Sequence, residues 1–268
     1  MSMKTDTIHV RTLFISDVHL GTRGCQADAL LDFMRVYEAE TIYLVGDIVD
    51  GWRLKASWLW PQSHNDVVQK LLRKVRKGSK LIYIPGNHDE FLRDYSGSVF
   101  GGIEIHEEAI HETVDGKRML VLHGDKFDTI VRNVKWLALL GDWAYDFAIW
   151  LNGWIAKARR FMGLPYWSFS GWSKQKVKRA VNFISAFEQA VVADARRNEV
   201  DIVLCGHIHR PAQQQMDEIL YINTGDWVES NSAVVEHADG RLELIRWTDS
   251  SHAVLRPDAI ADALPAAA

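Results

Sequence analysis

Cysteine is scarce in this chain. Cys25 and Cys205 are the only two among 268 residues, so no disulfide framework holds the fold and a reducing compartment is expected. An apolar segment able to cross a bilayer is missing as well. The most aromatic stretch, from Trp136 to Ile155, is broken by Asp142 and Asp146, whereas a span needs about 20 predominantly apolar residues. The opening residues, Met1 to Asp6, lack the apolar core of a secretion signal. Together these absences predict a cytoplasmic protein. Neither sign of charge dominates: a formal charge of −4 gives no global basic field, which argues against nucleic acid as a partner. No long-period repeat is found. What remains is an ordinary globular composition, 47% hydrophobic and 25% charged, in a chain long enough to bury a full core.

The informative residues sit where apolar runs stop. Lys80-Leu81-Ile82-Tyr83-Ile84 reads as a buried strand and runs straight into Pro85-Gly86-Asn87-His88-Asp89. An amide, an imidazole and a carboxylate in a row make poor core, because each buried without a partner costs roughly 1–3 kcal/mol. The same arrangement recurs. Arg11–Ile15 leads to Ser16-Asp17-Val18-His19, and Thr41–Val45 leads to Gly46-Asp47-Ile48-Val49-Asp50. Met119–Leu122 leads to His123-Gly124-Asp125, and Asp201–Cys205 leads to Gly206-His207-Ile208-His209. Strands that all end in Asp, Asn or His bring those groups together only if their carboxyl ends share one edge of a sheet.

Between these motifs the periodicity predicts a helix over Cys25 to Glu40 and another from Asn65 to Lys77. The second carries a basic face of Lys70, Arg73, Lys74, Arg76 and Lys77, expected to be solvated, and His64 before it is expected at the surface. Trp52, Trp58 and Trp60 follow Asp50; they could floor an apolar substrate or pin a loop to the core. Glu108 to Leu122 predicts a hairpin turning at Asp115-Gly116. His106 and His111 lie outside every motif, and Cys205 is expected to be a buried spectator. The connection from Asp125 to Arg197 is far too long for a strand link. Its first half is helical and aromatic, followed by Lys157, Arg159 and Arg160, and a second helix runs from Ser173 to Arg197. Four alternating strands then occupy Ala212 to Asp217, Ile219 to Thr224, Ala233 to His237 and Arg241 to Trp247.

Asp-x-His, Gly-Asp-x-x-Asp, Gly-Asn-His-Asp, His-Gly-Asp and Gly-His-x-His, in this order from Asp17 to His209, resemble the motifs of the calcineurin-like metallophosphoesterase family. Within that family the chain is most similar to the UDP-2,3-diacylglucosamine diphosphatase group of lipid A biosynthesis. The pointers are Ile15-Ser16-Asp17-Val18-His19-Leu20, the helical insertion after His-Gly-Asp, and Gly225-Asp226-Trp227. Where the best-known enzymes of that group carry Arg, this chain has His88. The resemblance implies an α/β fold, a two-sheet β-sandwich flanked by helices. The domain would span 1–248, interrupted by a helical cap at 127–197, with a frayed tail at 249–268. It also implies two divalent metal ions. Asp17, His19, Asp47 and His209 would hold one; Asp47 would bridge to the second, completed by Asn87, His123 and His207. Two cations about 3.5–4 Å apart need an anionic bridge, which suits Asp47. Mixed oxygen and nitrogen donors favour Mn²⁺, with Fe²⁺ or Zn²⁺ as alternatives, over Ca²⁺. His88 and Asp89 form the catalytic pair: His88 as general acid or transition-state donor, Asp89, like Asp50, as an orienting carboxylate.

The implied reaction splits UDP-2,3-diacylglucosamine into lipid X (2,3-diacylglucosamine 1-phosphate) and UMP. The alternatives are another lipid phosphate or nucleotide, or a non-catalytic lipid-binding scaffold. Trp136, Trp143, Trp150 and Trp154 fall along one side of a helix. That stripe could take acyl chains, with Trp150, Trp154, Lys178 and Arg179 binding substrate, or it could simply pack. A lipid-facing cap would place the protein peripherally on the inner face of a membrane.

Overall fold

A computed structural model describes residues 7–128, 170–248 and 251–254. The chain divides into two compact units, Met1–Asp125 with Val192–Ala268, and Lys126–Val191. The first holds two mixed sheets. Strands β1 (Ile8–Ile15), β2 (Tyr37–Val45), β3 (Lys80–Ile84), β4 (Val99–Phe100), β5 (Ile103–Ile105), β11 (Ser232–Glu236), β12 (Leu242–Thr248) and β13 (Ser251–Val254) form one, ordered β13-β12-β11-β1-β2-β3-β5-β4. Strands β6 (Glu108–Glu112), β7 (Arg118–Leu122), β8 (Ile202–Cys205), β9 (Ala212–Met216) and β10 (Ile219–Asn223) form the other, ordered β6-β7-β8-β10-β9.

The apolar runs seen in the sequence arise because β1, β2 and β3 are buried on both faces. Phe14, Tyr43, Val45, Ile82 and Ile84 point inward and pack with Met119, Val121, Ile202, Leu204 and Ile222 of the second sheet. Leu13, Ile15, Ile42, Leu44, Leu81 and Tyr83 point outward, into a core shared with helix α1 (Ala27–Val36) and helix α3 (Gln62–Arg76). In the first sheet β1, β2, β3 and β5 run parallel; in the second, β7, β8 and β10 do. Parallel pairing sends the motif-bearing strand ends the same way.

Several expectations are corrected. The first helix stops at Val36 instead of continuing to Glu40, because Tyr37, Glu38 and Ala39 already pair with Ile8, His9 and Val10 of β1. The stretch after Asp50 begins with a short helix, α2 (Gly51–Ala56), whose end is capped where Asp50 accepts the Arg53 N–H at 2.8 Å. The basic face of α3 is not wholly solvated. Lys74 is buried, and its Nζ donates to the Tyr37 carbonyl at 2.8 Å and to Glu38 at 3.0 Å. His64 is buried rather than at the surface, its Nδ1 accepting the Gly21 N–H at 3.0 Å. Ser251–Val254, within the stretch expected to fray, pairs antiparallel with β12. The hairpin at Asp115-Gly116 forms as expected between β6 and β7. Cys205 is buried beside Tyr221 and Asn223.

In the second unit, Phe127 is buried and meets Phe187 edge to face at 6.2 Å between centroids. Helix α4 (Ser170–Arg197), which runs across the boundary at Val192, carries Lys178 and Arg179. The tryptophan stripe from Trp136 to Trp154 lies outside the described residues. No helix among the described residues is long and apolar enough to cross a membrane.

His111 and Glu236 join the two sheets. Glu236 is buried and accepts from Thr12 Oγ1 (2.8 Å), Arg11 Nη1 (2.7 Å) and the Val114 N–H (2.9 Å), with His111 Nε2 at 2.8 Å. Burial alone would raise its carboxyl, but His111, Thr12 and the Val114 amide outweigh that and hold it at about 2. A depressed carboxyl stabilises the fold above its unfolded value, near 4.3, and the stability is lost as pH falls through 2; the shift corresponds to about 3 kcal/mol. Unfolding followed by circular dichroism from pH 5 to pH 2 should show this loss. Glu236→Gln should start less stable at neutral pH and lose much less across the same window.

Candidate metal centre

The strand-end motifs converge. Asp17, His19 and His209 form one group whose ligating atoms all lie within 4.8 Å of one another, and Asp47, His123 and His207 form a second. A third group, His19, Asp47 and His88, shares His19 with the first and Asp47 with the second, so the His19–Asp47 pair, 3.9 Å apart, links the two. Asn87 joins through its Oδ1, 3.4 Å from His123 Nε2. Every residue expected to ligate is therefore brought to one place.

The backbone takes an uncommon shape to achieve this. Asp17, His19, Asp47, His207 and His209 all have φ between 50° and 71°, a left-handed conformation that costs a non-glycine residue of order 1–3 kcal/mol. Such concentrated strain persists only where surrounding contacts enforce it. Two glycines make room for the crowding. A Cβ on Gly86 would run into the Asp47 carboxylate and the His123 ring, and one on Gly206 would strike the Asp17 carboxylate.

Each ring is aimed by the partner of its other nitrogen. The Nδ1–H of His123 donates to the Val45 carbonyl at 3.0 Å, leaving Nε2 facing Asp47 Oδ2 at 3.5 Å. His19 Nδ1 lies 3.2 Å from Asp50 Oδ2, and its Nε2 meets His209 Nε2 at 3.3 Å. Two imidazole nitrogens turned on the same point is the geometry of shared ligation. Asp17 Oδ1 is buried and accepts no hydrogen bond, with His209 Nε2 3.2 Å away. Oxygen and nitrogen donors, an orphaned carboxylate oxygen and converging imidazoles fit divalent metal ions.

The electrostatics agree. Burial would raise the Asp17 and Asp47 carboxyls, yet the neighbouring imidazoles pull both below the usual range. Burial opposes charge on His123, but Asp47 and then Asp17 push it up to about 10. His209 is raised too, against its burial, chiefly by Asp17. A field that holds protons this firmly on imidazoles is a field that attracts cations.

Asp89 lies behind the cluster. It is buried, and its carboxylate accepts from the amides of Gly86 (2.5 Å), Ile48 (2.8 Å) and Asp47 (3.3 Å) and from the Tyr83 hydroxyl (2.5 Å). It pins the loop after β2 to the loop after β3, and so acts on the site by positioning Asp47. His88 occupies the open side. Its Nδ1 lies 3.0 Å from Asp50 Oδ2, its Nε2 3.9 Å from Asp47 Oδ2, and Trp52 lies against its ring at 4.3 Å. Asp125 is held by Arg93 at 2.6 Å. Trp227 is buried against Phe33, and its backbone N–H donates to the Asp17 carbonyl at 3.0 Å, so Gly225-Asp226-Trp227 braces the first ligand loop. The His106 ring meets Glu104 at 3.2 Å, and its backbone N–H donates to the Tyr83 carbonyl at 3.0 Å, outside the site. Of the residues expected to bind substrate, Trp150 and Trp154 lie outside the described residues, while Lys178 and Arg179 fall on α4.

A cavity of about 800 Å³ opens beside His19, Asp50, His88 and His209. Arg23, Arg53 and Trp58 also line it, and none of these three belongs to a motif. Only the exposed tryptophans after Asp50 hinted at this wall.

The sequence profile of the calcineurin-like phosphoesterases matches residues 10–211. The chain belongs to that family, and it is a metal-dependent hydrolase. A UDP-2,3-diacylglucosamine hydrolase of Vibrio atlanticus is 24% identical over 241 residues, covering 84% of this chain and 93% of the relative. One from Porphyromonas gingivalis is 26% identical over 259 residues, covering 83% and 92%. Among solved structures, the E. coli phosphoesterase Yfce superposes with a TM-score of 0.46 at 15% identity, over 91% of this chain and 97% of that one.

Because Asp47 belongs to two groups and His209 to one, their removal should differ. Metal analysis of the purified protein should find about two ions per chain. Asp47→Ala should deplete both, whereas His209→Ala should mainly lose one. Equal depletion in the two variants would contradict a bridging position for Asp47.

Proposed function

We propose that this phosphoesterase hydrolyses the pyrophosphate linkage of UDP-2,3-diacylglucosamine, giving 2,3-diacylglucosamine 1-phosphate and UMP. The observation that carries the reading is the pair of His/Asp groups linked through His19 and Asp47, in a chain similar over more than four-fifths of its length to hydrolases of that substrate. Asp17, His19, Asp47 and His209 would hold one ion, and Asp47, Asn87, His123 and His207 the other. Mn²⁺ is the favoured ion, with Fe²⁺ or Zn²⁺ as alternatives. When bound, two divalent ions supply Lewis acidity to the phosphoryl group and lower the pKa of water at the site.

The chain's own groups do the rest. Asp50 Oδ2 lies 3.0 Å from His88 Nδ1 and Trp52 lies against its ring, so His88 Nε2 faces the reacting centre. From there it gives its proton to the oxygen that leaves phosphorus when water attacks in line. Asp89 and Asp50 keep Asp47 and His19 in register. Acyl chains would be taken by the tryptophan-rich insertion through Trp150 and Trp154, with Lys178 and Arg179 meeting phosphate. Apolar burial there gives about 25 cal/mol per Å². Such a cap would work from the cytoplasmic face of a membrane, with the protein bound peripherally. A second reading, hydrolysis of another lipid phosphate or nucleotide, is favoured by His88 itself, which stands where the best-known diphosphatases of this group carry Arg.

If His88 acts on the leaving group, His88→Ala should keep both metals and lose roughly two to four decades in kcat. A substrate with a very good leaving group should suffer far less. Loss of metal in that variant would instead make His88 a ligand, as its group with His19 and Asp47 allows.

For the substrate, changing Trp150 and Trp154 to Ser should lower kcat/KM for the acylated substrate at least ten times more than for bis(p-nitrophenyl) phosphate. A parallel fall in both activities and in thermal stability would assign the stripe to packing. An equal response to both substrates with stability intact would remove the acyl-binding role.

A further inference from the structure

Two walls of the cavity beside the cluster are tied to one buried side chain. His64 accepts the Gly21 N–H, anchoring the segment from Gly21 to Gly24 that carries Arg23. The same imidazole meets Trp60 edge to face at 5.8 Å, and Trp60 lies beside Trp58 at 6.2 Å with the rings tilted by 31°. Trp60 is itself packed on the core. Trp58 thus has a core-packed ring beside it while 75% of its own surface stays exposed.

Arg23 and Arg53 are exposed and line this cavity, and among the described residues neither has a carboxylate at ion-pair distance. Two free guanidiniums beside a metal-binding cluster suit phosphate oxygens that the metals leave uncovered. An exposed indole suits a flat aromatic ring. Two guanidiniums in the wall make poor surroundings for an acyl chain. Phosphate and a flat ring coincide in a nucleotide.

We propose that this cavity binds the nucleoside monophosphate half of the substrate, with Trp58 stacking on the base and Arg23 and Arg53 holding the phosphate. His64 is the positioning residue that sets the two walls. The proposal deepens the reading above, since it assigns the nucleotide end of the same substrate to a site separate from the acyl end. None of the motif residues supplies these contacts.

The test measures binding, so it does not depend on which lipid is cleaved. Equilibrium dialysis of the manganese-loaded full chain should show UMP binding about ten-fold more tightly than glycerol 3-phosphate, the difference being the stacked base. Trp58→Ala should erase that preference and leave glycerol 3-phosphate unchanged; the side chain is largely exposed, and circular dichroism would verify the fold. Arg23→Gln combined with Arg53→Gln should weaken both ligands alike, separating phosphate recognition from base recognition. Equal binding of the two ligands by the wild type would overturn the proposal, as would a UMP preference that survives Trp58→Ala. Failure to cleave UDP-2,3-diacylglucosamine, with the Trp58-dependent preference present, would sink only the substrate reading. Cleavage of that substrate without the preference would sink only the nucleotide site.

Discussion

Four carboxylates, Asp17, Asp47, Asp50 and Asp89, are buried together at one edge of the sandwich, and the rest of the site follows from making that tolerable. An ion taken out of water costs several kcal/mol unless its lone pairs are satisfied. Each of the four finds a different set of partners. Asp89 spends its oxygens on backbone amides and the Tyr83 hydroxyl. Asp50 divides its carboxylate between the end of α2 and two imidazoles. Asp47 takes the His88 amide at 2.8 Å and faces His123. Asp17 accepts the His207 amide at 3.1 Å through one oxygen and leaves the other without a donor. Asp17, with its orphaned oxygen, and Asp47, facing three imidazoles, are the two that belong to the candidate ligand groups. Divalent cations complete what the protein leaves open.

That arrangement costs backbone strain, and the sandwich absorbs it. Left-handed residues are concentrated at Asp17, His19, Asp47, His207 and His209 because the chain must turn sharply as each strand leaves the sheet. The Asp17 and His19 amides donate to the carbonyls of Gly46 and Asp47 at 3.0 and 2.9 Å, so the first two motif loops run on as a ladder beyond the strands. Trp227 anchors the same region from the core side. Rigid strands buried on both faces thus hold loops whose own conformations are unfavourable, which is what lets ligands meet at fixed positions.

The cavity shows a related division of labour. Its chemistry-bearing wall is made by motif residues, while its outer walls are made by loops with no motif at all. Those loops are held in place by His64 and Trp60, neither of which needs to touch substrate. Catalytic machinery and recognition surface are supported by different buried residues, so recognition could change in such a scaffold without disturbing the metal ligands.

Polar groups at the ends of apolar runs were legible in the linear order of residues. Asp17, His19, Asp47, Asn87, His123, His207 and His209 could be named because an Asp or His straight after a buried strand is too costly to be incidental. The two-sheet architecture was implied only by the resemblance of those motifs to a known family, since apolar runs show that strands are covered on both faces and not how many sheets they form. What depended on tertiary structure was where the remaining polar residues went. His64 and Lys74 look like surface residues locally. They are buried because Gly21 in one case, and Tyr37 with Glu38 in the other, arrive from distant parts of the chain to satisfy them. Tyr37 fits a helical period as well as a strand, and only pairing with Ile8 chose the strand. Trp58 stood out only as one of three tryptophans after Asp50, Arg23 and Arg53 carry no signal of their own, and only folding sets all three around one cavity. Local pattern determines which groups must find partners; the pairing of strands decides which partners they find, because that is set by contacts between residues far apart in the chain.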